Sequence, residues 1–238
     1  MSADVEDAKV LLEQIEYYRA RATEYDDWFL RLGRYDRGED ATRRWFAQVD
    51  EVRQIIAALA LDGKNILELA PGTGIWTEEL CDRAAHLTAV DASSEMIALN
   101  RERLGERAEN VTYIEADLFE WRSTQEFDAV VFCFWISHVP LRRIDEFLAA
   151  VATMLVPGGT VFFLDARKEH TSTAKDHVLP ASDEEVMTRR LDDGREFAII
   201  KNFWSAPELE ERCRRVGLEV HVHETADYFQ YGVGTRLE

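Results

Sequence analysis

Cysteine is scarce in this chain: Cys81, Cys133 and Cys213 are odd in number, widely separated and never part of a C-x-x-C pair. That excludes a disulfide framework and a zinc centre, so no metal is expected. It predicts buried thiols in a reducing compartment. Basic residues are also in short supply. Lys and Arg number 28 against 46 Asp and Glu, for a formal net charge of −18, and no basic cluster exceeds a pair such as Arg142-Arg143 or Arg214-Arg215. A surface of that sign repels phosphate backbones, so nucleic acid is not an expected partner, and the charge reads as solubility. Nor does any window approach the ~20 apolar residues of a membrane span, so no membrane partner is expected. The opening Met1-Ser-Ala-Asp-Val-Glu-Asp is acidic where a signal peptide would be apolar, and a cytoplasmic location is the expectation. Repeats and low-complexity tracts are missing too.

What is present suits one domain with a large core, since 46% of the 238 residues are apolar. Residues 6–30 are helix-like and carry Tyr17, Tyr18, Tyr25, Trp28 and Phe29, too aromatic for a wholly solvated helix. After a Gly-containing break, Trp45, Val49, Val52, Ile56 and Leu59 repeat at helical spacing over residues 40–61, with Asp40 as cap and Asp62-Gly63 as stop. Strands are then predicted at 65–70, 87–90, 111–115, 128–134 and 160–165, and helices at 75–84, 94–104 and 141–155. Pro157-Gly-Gly159 ends the last of these helices. Such alternation makes a doubly wound α/β fold, a mostly parallel sheet with helices on both faces. Beyond it, residues 186–200 read as a hairpin turning at Asp193-Gly194. A helix over 207–216 and two further strands follow. The division expected is an N-terminal lid (1–38), a core (40–165), a cap insert over the substrate (166–205) and a C-terminal helix with edge strands (206–238).

The most informative stretch is Asn65-Ile-Leu-Glu-Leu-Ala-Pro-Gly-Thr-Gly-Ile-Trp-Thr77, followed by Leu87-Thr-Ala-Val-Asp91. An apolar run ends in a Gly-rich turn and a second run ends in an acid. Gly72 and Gly74 allow a sharp turn and close approach of backbone to a ligand, because neither has a Cβ. Asp91 falls 19 residues after Gly72, where a carboxylate can accept both hydroxyl protons of a ribose. A dinucleotide fingerprint would need a third glycine where Thr77 stands, and a phosphate-cradling loop would need a lysine after the glycines. Instead Glu68 precedes the loop, placed to take a ligand ammonium. A loop built for a cation and a ribose, without provision for a diphosphate, points to S-adenosyl-L-methionine.

Glu68-Leu-Ala70-Pro-Gly72-Thr-Gly74 resembles motif I of the class I S-adenosylmethionine-dependent methyltransferases, with Ala70 replacing the first glycine. Val90-Asp91-Ala-Ser-Ser-Glu-Met96 resembles their ribose-binding strand end, and Glu115-Ala-Asp117-Leu118 their adenine-edge segment. The resemblance covers residues 60–165 well. It implies a seven-stranded sheet whose last two strands form an antiparallel edge, and an N-terminal segment folded over the cofactor. It also implies that Glu68, Ala70, Gly72, Thr73, Gly74, Asp91, Ala92, Met96, Asp117 and Leu118 bind that cofactor. Met96 would lie under the adenine, although helix-core packing explains it equally.

Chemistry is expected just beyond the fourth strand, in Phe134-Trp-Ile-Ser-His138, because ligands of open α/β sheets sit outside the carboxyl ends of the strands. His138 is the first candidate for general base or substrate-orienting group, against the alternative that it caps the helix starting near Leu141. Phe134 and Trp135 either wall the methionine moiety and substrate or belong to the core. Tyr18 and Tyr25 are the lid residues placed to touch cofactor or substrate, with plain packing as the alternative. Asp165 faces substrate or caps a turn. His221 and His223 share one face of a strand, more in keeping with a solvated edge than with half a metal site.

The expected activity is methyl transfer to an oxygen or nitrogen of a small molecule; the alternative is a non-catalytic protein that binds S-adenosylmethionine. A third possibility, an NAD-dependent dehydrogenase, is disfavoured by Thr77 and by the lack of a catalytic Tyr-x-x-x-Lys. The Asn/Asp-Pro-Pro-Tyr/Phe motif of the nucleic-acid and glutamine amino methyltransferases is absent, which argues against a nucleobase or amide acceptor. Acceptor identity and oligomeric state are not legible.

Overall fold

The computed structural model of the chain describes residues 3–180 and 184–238. In chain order, helices α1 (Ala3–Arg21) and α2 (Tyr25–Leu30) precede α3 (Glu39–Ala58). Next come β1 (Asn65–Leu69), α4 (Thr77–Cys81), β2 (His86–Asp91), α5 (Ser94–Leu104), β3 (Val111–Glu115) and β4 (Phe127–Cys133). Then α6 (Ile144–Met154) and β5 (Leu155–Ala166) lead to a hairpin of β6 (Val186–Arg190) and β7 (Glu196–Ile200). The chain closes with α7 (Ala206–Arg215), β8 (Leu218–Glu224) and β9 (Phe229–Arg236).

The main sheet runs β3-β2-β1-β4-β5-β9-β8. The first five strands pair in parallel, whereas β9 lies antiparallel to β5 and β8 antiparallel to β9, as expected for the edge. Strand order reverses between β1 and β4. That reversal opens a crevice at the carboxyl ends of the two strands, where the glycine loop and Phe134 emerge.

Both faces of the sheet are covered, which is why its central strands are almost uninterruptedly apolar. On one face Trp45, Val49, Val52 and Ile56 of α3 and Leu80 of α4 pack on Ile66, Ala129 and Val131. On the other, Phe147, Leu148 and Val151 of α6 and Leu209 of α7 pack on Leu67, Val130 and Phe163. A separate small cluster, Tyr17, Met187, Leu191 and Ile199, fastens the hairpin to α1.

Local chemistry explains where the helices begin and end. The Ser93 hydroxyl accepts the Met96 N–H at 3.1 Å and Gly105, at φ 57°, ends α5, so this helix matches its predicted span. Three expectations need correction. Gly38, at φ 89°, stands before α3, and Asp40 lies inside its first turn rather than capping it. That helix stops at Ala58 because Leu59 is extended and Leu61 turns into the core, while Arg83 donates to the Ile56 and Leu59 carbonyls at 2.7 and 2.6 Å. Pro157-Gly-Gly159 does not separate helix from strand. Strand β5 already pairs at Leu155, opposite Phe127, and a register shift between Phe127 and Ala129 absorbs the extra residues.

Candidate functional site

The loop after β1 uses three left-handed residues in five positions: Ala70 at φ 53°, Gly72 at 56° and Gly74 at 91°. Ala70 adopts the bend that a glycine makes without strain, at a cost of about 1 kcal/mol. Gly74 has a separate reason to lack a side chain. A Cβ there would meet Asn100 Cγ at 2.8 Å. Asn100 is itself held, donating to Thr77 Oγ1 at 2.8 Å and accepting the Tyr113 hydroxyl at 2.8 Å, so it cannot easily give way.

At the tip of β2, Asp91 fastens the loop: its carboxylate accepts the Gly72 N–H at 3.1 Å and the Ser93 N–H at 2.9 Å. Each oxygen keeps a further lone pair. Burial lifts this carboxyl to about 6, against the lowering effect of those backbone donors. Glu68, buried in β1, is raised to about 8 by burial, and its Oε2 has no hydrogen-bond partner among the described residues. A buried carboxyl oxygen without a partner is costly unless a ligand supplies one.

A cleft opens beside the loop. Gly72, Asp91, Ala92, Met96, Asp117 and Leu118 form one side of it, and Tyr18, Tyr25, Phe134, Trp135 and His138 the other. Among the described residues, no lysine or arginine lines it. Two carboxylates, aromatic walls and, in adjoining β1, an acid with one unpartnered oxygen suit a nucleoside that carries a cation; they do not suit a diphosphate.

Phe134 reaches the cleft through another left-handed residue, φ 57°, which sets its ring edge-on to Trp28 with centroids 4.8 Å apart. Asp117 Oδ1 accepts the Phe119 N–H at 2.9 Å, which leaves Oδ2 for a ligand. Thr73 faces elsewhere. Its hydroxyl donates to Asp26 of α2 at 2.6 Å, so it ties α2 to the loop instead of lining the main cleft.

His138 is buried and does not cap α6, which begins only at Ile144. Its Nδ1 lies 2.7 Å from the Ile200 carbonyl oxygen and its Nε2 lies 2.7 Å from the Tyr18 hydroxyl. A carbonyl can only accept, so Nδ1 carries the hydrogen and Nε2 accepts from Tyr18. Burial, reinforced by the positive charge of Lys201, holds the ring well below its ordinary pKa of 6.5. The imidazole is therefore neutral at pH 7, the form a base requires. Tyr18 thus meets both the cleft and the histidine. The Tyr25 ring lies 6.3 Å from that of Tyr18 in the same wall.

A second chamber adjoins the first across Tyr18, Tyr25, Phe134 and His138. Arg21, Arg189 and Lys201 line it. Sequence reasoning singled out neither Arg189 nor Lys201, both brought in by the hairpin and its exit. Asp165 proves structural: it accepts Ser137 N–H at 3.0 Å, Ala166 N–H at 2.7 Å and Lys201 Nζ at 3.2 Å. His221 and His223 sit on an exposed face of β8.

A family model described as a methyltransferase domain matches residues 66–159. A ubiquinone biosynthesis O-methyltransferase of Aromatoleum aromaticum is 28% identical over 193 residues, 76% of this chain and 79% of that protein. Among solved structures, a DhpI complex with SAH shares 32% identity at a TM-score of 0.75, covering 96% of this chain and 97% of that one. A DhpI-SAM-HEP complex shares 34% identity at a TM-score of 0.76, covering 94% and 97%.

Proposed function

The chain belongs to the class I S-adenosylmethionine-dependent methyltransferases, and on that premise we propose that it methylates an oxygen or nitrogen of a small-molecule acceptor held where Tyr18 meets His138. The observation that carries the proposal is the 2.7 Å contact between the Tyr18 hydroxyl and His138 Nε2, in the wall shared by the cofactor cleft and the second chamber.

Asp91 would hold the ribose hydroxyls, Asp117 and the Leu118 backbone the adenine edge, Met96 the adenine face, and Glu68 the ammonium. Ala70, Gly72 and Ala92 would supply close-lying backbone, with Phe134 and Trp135 flanking the methionine part. When bound, S-adenosylmethionine supplies a methyl carbon on a positively charged sulfur, so the bond that breaks is carbon–sulfur and the leaving group is a neutral thioether.

The protein's share of the work is alignment and proton removal. Good alignment contributes up to ~7–11 kcal/mol in such displacements. As the acceptor lone pair bonds to carbon, its remaining proton becomes strongly acidic. Tyr18 takes that proton while passing its own to His138 Nε2, and the Ile200 carbonyl stabilises the imidazolium through Nδ1–H. A weakly basic histidine suffices because the proton it receives is by then easily lost. Tyr25 closes the same wall and helps keep water from the reacting atoms. The reducing environment that suits three buried free thiols agrees with a cytoplasmic setting.

The test is a pair of variants, His138→Ala and Tyr18→Phe, assayed by S-adenosylhomocysteine release over a panel of small alcohols, phenols and amines. Cofactor affinity is expected to change little and turnover to fall about 10²- to 10⁴-fold for His138→Ala. Full activity of both variants on an accepted substrate would overturn the base assignment. Saturable cofactor binding without turnover on any compound would favour a binding protein instead.

A further inference from the structure

The second chamber holds more positive charge than its surroundings neutralise. Arg21 is 6% exposed, yet among the described residues its guanidinium has no carboxylate within ion-pairing distance. It lies over the rings of Tyr25 and Tyr17, at 4.8 and 5.6 Å, and donates to the Tyr35 hydroxyl at 3.3 Å. Aromatic faces offset part of the desolvation cost of a guanidinium but do not neutralise it. Arg189 donates to Thr173 Oγ1 at 2.7 Å; its Nε is buried without a partner, and it too lacks an ion pair among the described residues. Lys201, 6% exposed, uses two of its three donors on Ser137 Oγ at 2.7 Å and Asp165 Oδ1 at 3.2 Å. So three cations face one chamber, and a single carboxylate, Asp165, answers them.

Two histidines register the same positive field from opposite sides. His177, beside Arg189 and Arg34, is lowered to about 3 by burial and by those two guanidinium charges. His138 is lowered by burial and then by Lys201. In a chain with a formal charge of −18, three cations converging on one chamber, two of them buried, stand against the general composition. Buried charges are retained where something pairs with them. The cofactor's own carboxylate is the other claimant, since Phe134 lines both spaces; against it, Arg21, Arg189 and Lys201 line only this chamber and none of them lines the cofactor cleft.

The geometry points to an anion-binding acceptor pocket: Arg21, Arg189 and Lys201 grip an oxyanion group on the acceptor and hold its nucleophilic atom toward Tyr18 and the cofactor cleft. This rests on the methyltransferase reading and narrows its acceptors to anionic small molecules. The anion offsets the positive charge that Asp165 leaves unanswered, and Tyr18, Tyr25 and Phe134 form the threshold across which the methyl group passes.

Calorimetric titration of the full chain saturated with S-adenosylhomocysteine tests this, with inorganic phosphate and acetate as separate probes at constant ionic strength. Saturation with the product cofactor is verified first. If that cofactor does not bind, the methyltransferase reading fails on its own, and the anion titrations are still read on the free protein. Expected is saturable, single-site binding of at least one anion, weakened about 10- to 100-fold in Arg189→Gln and again in Lys201→Met. S-adenosylhomocysteine affinity should stay within about twofold in both. Tighter binding of phosphate would identify a doubly charged group, and tighter binding of acetate a carboxylate; either supports the pocket. Absence of saturable binding, binding indifferent to both substitutions, or binding abolished by S-adenosylhomocysteine would overturn it. The last result would assign the cations to the cofactor's carboxylate. Two variants at separate positions guard against one failing to fold.

Discussion

Asp26 of α2 accepts the Thr73 hydroxyl of the glycine loop at 2.6 Å and also pairs with Arg103 of α5. Arg103 in turn donates to the Thr73 carbonyl at 2.8 Å. Helix α2 is thereby latched directly onto the segment that shapes the cofactor cleft.

Removing the latch should loosen the cofactor without unfolding the core. Asp26→Ala is expected to speed release of S-adenosylhomocysteine about tenfold, in line with the loss of a charged hydrogen bond. Stopped-flow tryptophan fluorescence would detect this through Trp28. An unchanged release rate would mean that the lid does not gate the cleft.

Cofactor affinity should depend on pH through Asp91. Its carboxyl sits at about 6 in the free protein, raised by burial, and only the ionised form accepts two sugar hydroxyls. Binding therefore favours the charged state. Through this group alone affinity would be level above pH 6 and fall by up to about tenfold per unit below it, a slope added to the one that proton release from Glu68 imposes up to about pH 8. Asp91→Asn should bind weakly at every pH, with the added limb below pH 6 gone and only the Glu68 slope left.

Glu68 should make binding release a proton. With a pKa raised to about 8 by burial, it is mostly protonated at pH 7, and an incoming ammonium lowers that value. Calorimetry at pH 7 in buffers of differing ionisation enthalpy should show up to one proton released per cofactor, and none for Glu68→Gln. The same shift predicts that the free protein loses stability as pH rises. The contribution of Glu68 is fully present below about 4.5, its ordinary value, and is lost as pH climbs through about 8.

Gly74→Ala should destabilise the fold by about 2 kcal/mol or more, because the new Cβ combines a strained φ of 91° with a 2.8 Å approach to a clamped Asn100. Thermal unfolding measures this. Gly72→Ala has the same kind of φ, 56°, but no atom within 4 Å of its added Cβ, and should cost less.

The cofactor half of the site could be read from the chain because its signals are local. Strand, glycines, next strand and acid follow one another within a few turns, and Asp91 meets Gly72 across adjacent parallel strands whose pairing the fold class dictates. Helix α5 could be delimited for a similar reason, a serine at one end and a glycine at the other. The acceptor side could not. Tyr18 and His138 are 120 positions apart, and Lys201 meets Ser137 across 64. Those pairings depend on where a hairpin lands, which spacing does not encode. Aromatic content marked α1 as something that folds over, without saying that Tyr18 would bond to the histidine. Helix α3 ended early for a comparable reason: distant Arg83 and the burial of Leu61 overrode the periodicity.

Helix α1 rests on β7, a strand that comes nearly 200 residues into the chain: Gln14 Oε1 accepts the Ile200 N–H at 3.0 Å, Glu13 accepts the Ala198 N–H at 2.6 Å, and Tyr17 packs on Phe197. During synthesis the earliest helix therefore emerges long before its docking strand exists. The parallel strands can assemble on the ribosome while α1 waits, and the contact chain from Tyr18 through His138 to Ile200 is completed only once the hairpin has left the exit tunnel.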